Sequence, residues 1–221
     1  YLAVLNGADA IKERAQIKLI VVTSNRLEDY KNLLAQTDVQ VLVVSQDVFH
    51  KLSMTETTQG ILAVVEIVKQ EILPNKGRFI VLDAVQDPGN LGTIVRTADA
   101  AGFDAVVIGT GTVDLYNDKV LRSMQGSHFH LPIYRMSLAS FVEEAKKSNL
   151  PILATTLSRD SKDYREISSL ENFVLVMGNE GQGISSVMAE SADQLVHIGM
   201  KGRAESLNVA VAAGILMFYF S

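Results

Sequence analysis

The segment from Phe79 to Gly109 constrains the fold more tightly than any other. Phe-Ile-Val-Leu-Asp-Ala-Val at 79–85 is a short, β-branched, nearly uniform apolar run, the pattern of a strand buried on both faces. It runs into Gln86-Asp87-Pro88-Gly89-Asn90-Leu91-Gly92, which is built from residues that turns prefer. The spacing then predicts a helix over 93–101 with Gly102 just past its end, and a second buried strand over 105–109. Strand, tight loop, helix and strand in so short a span form a βαβ unit, and such a unit implies a parallel sheet.

The alternation continues to the C-terminus. Helices are expected at 118–124 and 138–148, strands at 152–156, 173–177 and 194–200, and a last, almost wholly apolar helix from Leu207. Between the first two helices, Phe129 to Tyr134 reads as a short edge strand that tolerates Pro132, with His128 and His130 as strand neighbours. The final helix is apolar on every face, so it is expected to be buried all round, in a core or a subunit interface.

Upstream, strands at 18–23, 39–44 and 61–68 alternate with helices around 8–15, at 28–36 and at 46–52, a small three-layer α/β domain. The first of these helices starts so close to Tyr1 that residues are expected before it. Leu73-Pro74-Asn75-Lys76-Gly77 has the composition of a linker. The expected organisation is therefore a first domain over 1–73, a linker over 74–77 and a second domain over 78–221.

Composition narrows the function classes. With 48% apolar and 20% charged residues the chain can build real cores and lacks the signature of disorder. The absence of cysteine removes disulfides and thiolate metal sites, and no set of ligands at metal spacing accompanies His128 and His130. No secretory leader is recognisable, and the apolar run Val209–Phe220 is too short to span a bilayer, so a cytoplasmic protein without membrane or metal is expected. The net charge of −5 speaks against a general nucleic-acid coat and leaves room for a local basic cleft.

Three segments carry candidate chemistry. In the first, Asp87 to Arg96, a glycine-rich turn precedes a helix and can present backbone N–H groups to an anion. Neither a dinucleotide fingerprint nor a Walker lysine is present, which argues against a nucleotide-dependent oxidoreductase. Arg96 stands on that helix among apolar neighbours, and an ordinary surface arginine fits the spacing equally well. In the second, Met177 to Gly183, three glycines let the backbone approach a ligand and Glu180 can accept hydrogen bonds, although a plain strand-to-helix turn has the same composition. In the third, Ser206 is a natural N-cap for the last helix, while Asn208 is a lone amide in an apolar run and needs a hydrogen-bonding partner.

Taken together, the three segments resemble the motifs of the SpoU (TrmH-like) RNA ribose methyltransferases, of the SPOUT superfamily. Asp87-Pro88-Gly89-Asn90-Leu91-Gly92-Thr93-Ile94-Val95-Arg96-Thr97-Ala98 resembles the first motif and Val176-Met177-Gly178-Asn179-Glu180-Gly181-Gln182-Gly183-Ile184 the second. Ile198 through Ser206-Leu207-Asn208-Val209-Ala210-Val211-Ala212 resembles the third. Asn179 stands where many members carry alanine, and Ala210 where serine is common. The first domain, with Thr58-Gln59-Gly60-Ile61, is similar to the substrate-binding domain that often precedes this catalytic domain.

The resemblance implies a parallel-sheet α/β knot, in which a deep C-terminal trefoil knot holds S-adenosylmethionine and packs into a homodimer. It implies cofactor contacts from Gly178, Ile198, Leu207 and Leu157, and a catalytic side formed by Asn90, Arg96, Glu180, Ser206 and Asn208. The implied reaction is methylation of a ribose 2′-hydroxyl in structured RNA, ribosomal rather than transfer RNA. A guanidinium stays protonated in proteins, so Arg96 is expected to hold phosphate and stabilise oxyanion charge rather than act as base. Arg78, Lys119, Arg122, Lys201 and Arg203 are the expected basic lining of the cleft. The alternatives are a non-catalytic RNA- or ribosome-binding protein on the same fold, and a base-methylating relative.

Overall fold

The structure is a computed structural model; it describes residues 2–12, 15–53, 58–66 and 74–221, and of 2–6 the backbone alone. The chain divides into two compact units, Tyr1–Lys69 and Gln70–Ser221. The end of the strand expected over 61–68 and the first residue of the Leu73–Gly77 linker lie outside the described residues.

The first unit is a four-stranded mixed sheet in the order β1-β4-β2-β3, from β1 (Leu2–Asn6), β2 (Ile17–Thr23), β3 (Val41–Val44) and β4 (Ile61–Glu66). β2 and β3 are parallel, whereas β4 runs antiparallel to both β1 and β2. Helices α1 (Gly7–Lys12) and α2 (Leu27–Leu34) cover the face carrying Ile20 and Val22, and α3 (Gln46–Leu52) seats Phe49 against Val21 and Leu62 on the other. The three expected strands are present, and β1 is an additional one. It is specified by its antiparallel pairing with β4, some sixty residues downstream (Leu2 opposite Glu66), rather than by any local signal.

The second unit is a seven-stranded sheet in the order β7-β6-β5-β10-β8-β11-β9, with every neighbouring pair parallel. Its strands are β5 (Arg78–Leu82), β6 (Ala105–Ile108), β7 (Ile133–Arg135), β8 (Ile152–Thr155), β9 (Lys162–Asp163), β10 (Phe173–Met177) and β11 (Gln194–His197). Ile80, Leu82 and Leu175 pack under α4 (Pro88–Ala100), α5 (Asp118–Met124) and α8 (Val209–Phe220). Phe79, Val81, Val174 and Val176 pack on the opposite face under α6 (Leu138–Lys147) and α7 (Ser186–Ser191). Burial on both faces is why these strands read as continuous apolar runs. β5, β6 and β7 step outward in one direction, whereas β8 and β11 lie on the other side of β10, so the strand order reverses beside β5. In open parallel sheets ligands bind at such a reversal, outside the carboxyl ends of the strands.

Several boundaries differ from expectation for local physical reasons. α4 begins at Pro88, not at Thr93, because Asp87 caps it: its Oδ1 accepts the Asn90 N–H at 2.8 Å, and proline fills the first helical position. The stretch read as a turn is thus the helix's first turn. At its other end Gly102 (φ +70°) follows the cap, with Phe103 N–H donating to Ala98 and Gly102 N–H to Asp99, a Schellman closure. β11 stops at His197 rather than Met200. His128 and His130 are not strand neighbours; His128 lies in a 3₁₀ turn over Ser127–Phe129 and His130 just after it.

The last helix also departs from expectation. Asn208 caps α8 by accepting the N–H groups of Ala210 and Val211, so Ser206 is not its cap. Within this chain α8 is buried on one side only, so it is not a central core helix, the first of the two expected placements. Ala213, Leu216, Met217 and Phe220 face the core, whereas Val211, Ile215 and Phe218 are 52%, 37% and 59% exposed, at the i, i+4, i+7 spacing of one face.

Candidate active site

Two glycine-bearing loops meet at the carboxyl ends of β5 and β10. The β10 loop folds back on itself: Asn179 N–H donates to Gly183 O at 2.8 Å, and Gly183 N–H to Asn179 O at 3.0 Å. A Cβ on Gly178 would lie 2.3 Å from the Gly183 carbonyl carbon, so only glycine permits this return. The β5 loop passes beside it through Ala84, whose φ of +58° is in the left-handed region that a residue with a Cβ rarely adopts.

The loops are joined through Glu180. Its carboxylate accepts from the amides of Gln86 and Asp87, each at 3.2 Å, and from Asn90 Nδ2 at 3.0 Å. Desolvation works against its ionisation, but the hydrogen bonds from Asn90 and from the backbone N–H groups outweigh it and hold the carboxyl below the usual carboxylate range. Asn90 Oδ1 in turn accepts from Asn208 Nδ2 at 2.9 Å. One chain of side-chain bonds, Asn208 to Asn90 to Glu180, therefore links the start of α8, the first turn of α4 and the β10 loop. Both ends of the Asn208 amide are engaged, with Oδ1 on the helix cap and Nδ2 on Asn90, although the residue itself is exposed.

Beside this chain lies a cavity of about 760 Å³, formed at the carboxyl ends of β8, β10 and β11. It brings together Leu157, Gly178, Ile198 and Leu207, the four expected cofactor residues, with Glu180, Ser206 and Asn208. Leu157 is 64% exposed and Leu207 37%. Asn90 is not part of the wall and reaches the cavity through its bonds to Glu180 and Asn208. Thr155 and Met200 also line it. Thr155 is fixed by its hydroxyl, which donates to Val176 O at 2.8 Å.

Arg96 is placed differently. At 3.6 residues per turn it is rotated roughly 120° around α4 from Asn90. Gly92 abuts α5, where its Cβ would meet Ser123, and Thr97 faces Gly214 of α8. Arg96 lies on the exposed ridge between these contacts, and its guanidinium has no hydrogen-bond or ion-pair partner among the described residues. The other basic residues divide. Lys119 sits 3.6 Å from Asp87, Arg122 pairs with Asp118, and Lys201 and Arg203 lie in the exposed stretch of chain between the cavity-lining Met200 and Ser206. Arg78 opens β5 and is therefore at the opposite end of the sheet from the cavity, so it is not part of a basic lining.

Asp87 and Asn179 stand in the motif segments, but their roles as helix cap and cross-loop donor are new in the structure. Asp87 had a signal, since Asp-Pro is a cap followed by a preferred first helical residue. Asn179 had none beyond its place in the loop. Among the described residues no cluster of three or more potential metal ligands occurs, and no helix is long and apolar enough to cross a membrane.

A strand-order reversal, two loops locked by one carboxylate and a cavity of small-molecule size define an α/β enzyme of the ligand-at-the-carboxyl-ends class. The chain belongs to the SpoU rRNA Methylase family, which it matches over residues 77–218. Residues 8–63 match the MRM3-like substrate binding domain. It is 47% identical over 184 residues to the 23S rRNA (guanosine(2553)-2′-O)-methyltransferase RlmP of Bacillus subtilis, covering 83% of this chain and 73% of that protein. The AdoMet-bound rRNA methyltransferase of Sinorhizobium meliloti superposes with a TM-score of 0.86 at 33% identity, over 98% of this chain and 85% of that one. The SpoU methyltransferase AviRb of Streptomyces viridochromogenes, at 24% identity and a TM-score of 0.84 over 98% and 87% of the two chains, shares the fold.

Proposed function

We propose that this protein transfers a methyl group from S-adenosylmethionine to a ribose 2′-hydroxyl in structured RNA, ribosomal rather than transfer RNA. The observation that carries this reading is the Asn208–Asn90–Glu180 chain beside the cavity, with an unpartnered arginine on the same helix as Asn90. The residues present fit the cofactor. The volume suits a nucleoside-sized ligand, Leu157, Ile198 and Leu207 offer apolar surface, and Gly178 brings main chain to the cavity wall. An ionised Glu180 on the wall favours a cationic ligand. When bound, S-adenosylmethionine supplies an electrophilic methyl group on a sulfonium.

The protein's own groups do the positioning. Glu180 and Asn208 fix both ends of the Asn90 amide, so its orientation is set before RNA arrives. Ser206 stands in the cavity wall. Arg96 is free to take the phosphate beside the target ribose and to stabilise the charge that develops on O2′ as the hydroxyl loses its proton. Much of the acceleration then comes from holding nucleophile and methyl in line.

The same reading places the C-terminal region in a deep trefoil knot and a homodimer. The Val211, Ile215 and Phe218 stripe supports the dimer, because an apolar face of this kind is normally covered. The first unit, similar to a substrate-binding domain, holds the RNA, and the protein works in the cytoplasm. Arg96→Ala tests the assignment. The variant is expected to bind S-adenosylmethionine with a dissociation constant within about twofold of wild type while losing transfer to RNA about a thousandfold. Transfer at near the wild-type rate would remove Arg96 from the mechanism.

A further inference from the structure

Asn179 makes more hydrogen bonds than a loop residue needs. Its Oδ1 accepts from Gly181 N–H at 2.9 Å and Gln182 N–H at 3.0 Å, which closes the β10 loop from within. Its Nδ2 points the other way and donates to Ala84 O at 2.8 Å, across to the β5 loop. Ala84 is held in the left-handed region and stands two residues before Gln86, whose amide is one of the donors to Glu180. Glu180 directly follows Asn179. The carboxylate thus sits between two loops that one neighbouring side chain ties together, and that tie sets the distance it must span.

We propose that Asn179 is a positioning residue that acts through Glu180, clamping the β10 loop to the β5 loop so that the carboxylate meets Asn90 and the Gln86 and Asp87 amides together. The proposal rests on the methyl-transfer reading. Alanine at this position leaves the Ala84 carbonyl and the Gly181 and Gln182 amides to water, and Glu180 loses its fixed reach. Aspartate keeps both acceptor bonds but replaces the donor with an oxygen facing a carbonyl, so it breaks the cross-loop tie selectively.

A double-mutant cycle tests this on the full-length chain with labelled S-adenosylmethionine and ribosomal RNA. Asn179→Ala is expected to lower kcat about tenfold, with KM for both substrates within about twofold of wild type. In a Glu180→Gln background the same change is expected to cost less than about twofold more, because the group it acts through is already disabled. Asn179→Asp is expected to be at least as impaired as Asn179→Ala, and it carries the test if the alanine variant does not fold. Equal losses from Asn179→Ala in both backgrounds, or wild-type kcat in Asn179→Asp, would overturn the proposal. Wild-type protein that transfers no methyl would strike down the methyl-transfer reading itself, whereas a transferring wild type with an unaffected Asn179→Ala strikes down this inference alone.

Discussion

The first turn of α4 and its third turn use polar side chains in opposite ways. In the first, Asp87 caps the helix and Asn90 is bonded at both ends, to Glu180 and to Asn208. Six residues further on, Arg96 projects from the same helix with no partner among the described residues. A side chain whose hydrogen bonds are consumed within the protein shapes the site before any ligand arrives. One left free is available to a ligand, and its charge is stabilising only when that ligand is present. Stability and activity should therefore respond differently to changes at these two places.

The largest separation is expected at Arg96. Arg96→Ala should leave Tm within about 1 °C of wild type while kcat falls about a thousandfold; a large loss of Tm would break the contrast. Glu180→Gln should do both kinds of damage, lowering Tm by several degrees and kcat by about a hundredfold, since it removes hydrogen bonds to a charged group. Measured by calorimetry and by methyl transfer, the pair distinguishes a built network from a waiting side chain.

The two faces of α8 offer the same kind of contrast. Phe220 is buried and Phe218 is exposed. Phe218→Ser together with Val211→Ser should weaken self-association about a hundredfold in sedimentation equilibrium while the isolated fold persists, whereas Phe220→Ala should lower stability directly.

A smaller effect belongs to His128, whose two ring nitrogens are buried without a partner. Burial, reinforced by His130, pushes its pKa down from 6.5 to about 4. The unfolded chain then binds the proton more readily than the folded one. Stability is complete above pH 6.5, falls as pH drops through that window, and levels off near 4. His128→Phe should remove this dependence, about 2 kcal/mol across the window after allowing for residual exposure.

How much of this was legible beforehand varies by the range of the interaction. The buried strands at 79–82, 105–108 and 173–177 could be read directly, because burial on both faces leaves a continuous apolar run. Asn208 and Glu180 were recognisable as residues in need of partners, but neither Asn90 as the common partner nor the 2.9 Å and 3.0 Å contacts could be read from sequence. Those contacts join positions about ninety to one hundred and twenty residues apart. β1 escaped for the same reason. The helix starts escaped for another: Asp87 competes with the glycines after it, and Ser206 with Asn208, so propensity alone does not pick the cap. The exposed stripe of α8 was invisible because a helix that is apolar throughout gives no sign of which face is covered.

The central claim is tested most directly by where the methyl group goes. Wild-type protein, labelled S-adenosylmethionine and ribosomal RNA would be incubated together and the RNA hydrolysed with alkali. Methylation of O2′ blocks cleavage of the adjoining phosphodiester, so the account predicts that the label appears in alkali-stable dinucleotides. Label released as mononucleotides would mean a methylated base, and RNA that is bound without acquiring label would mean a binding protein on this fold; either result would contradict the account.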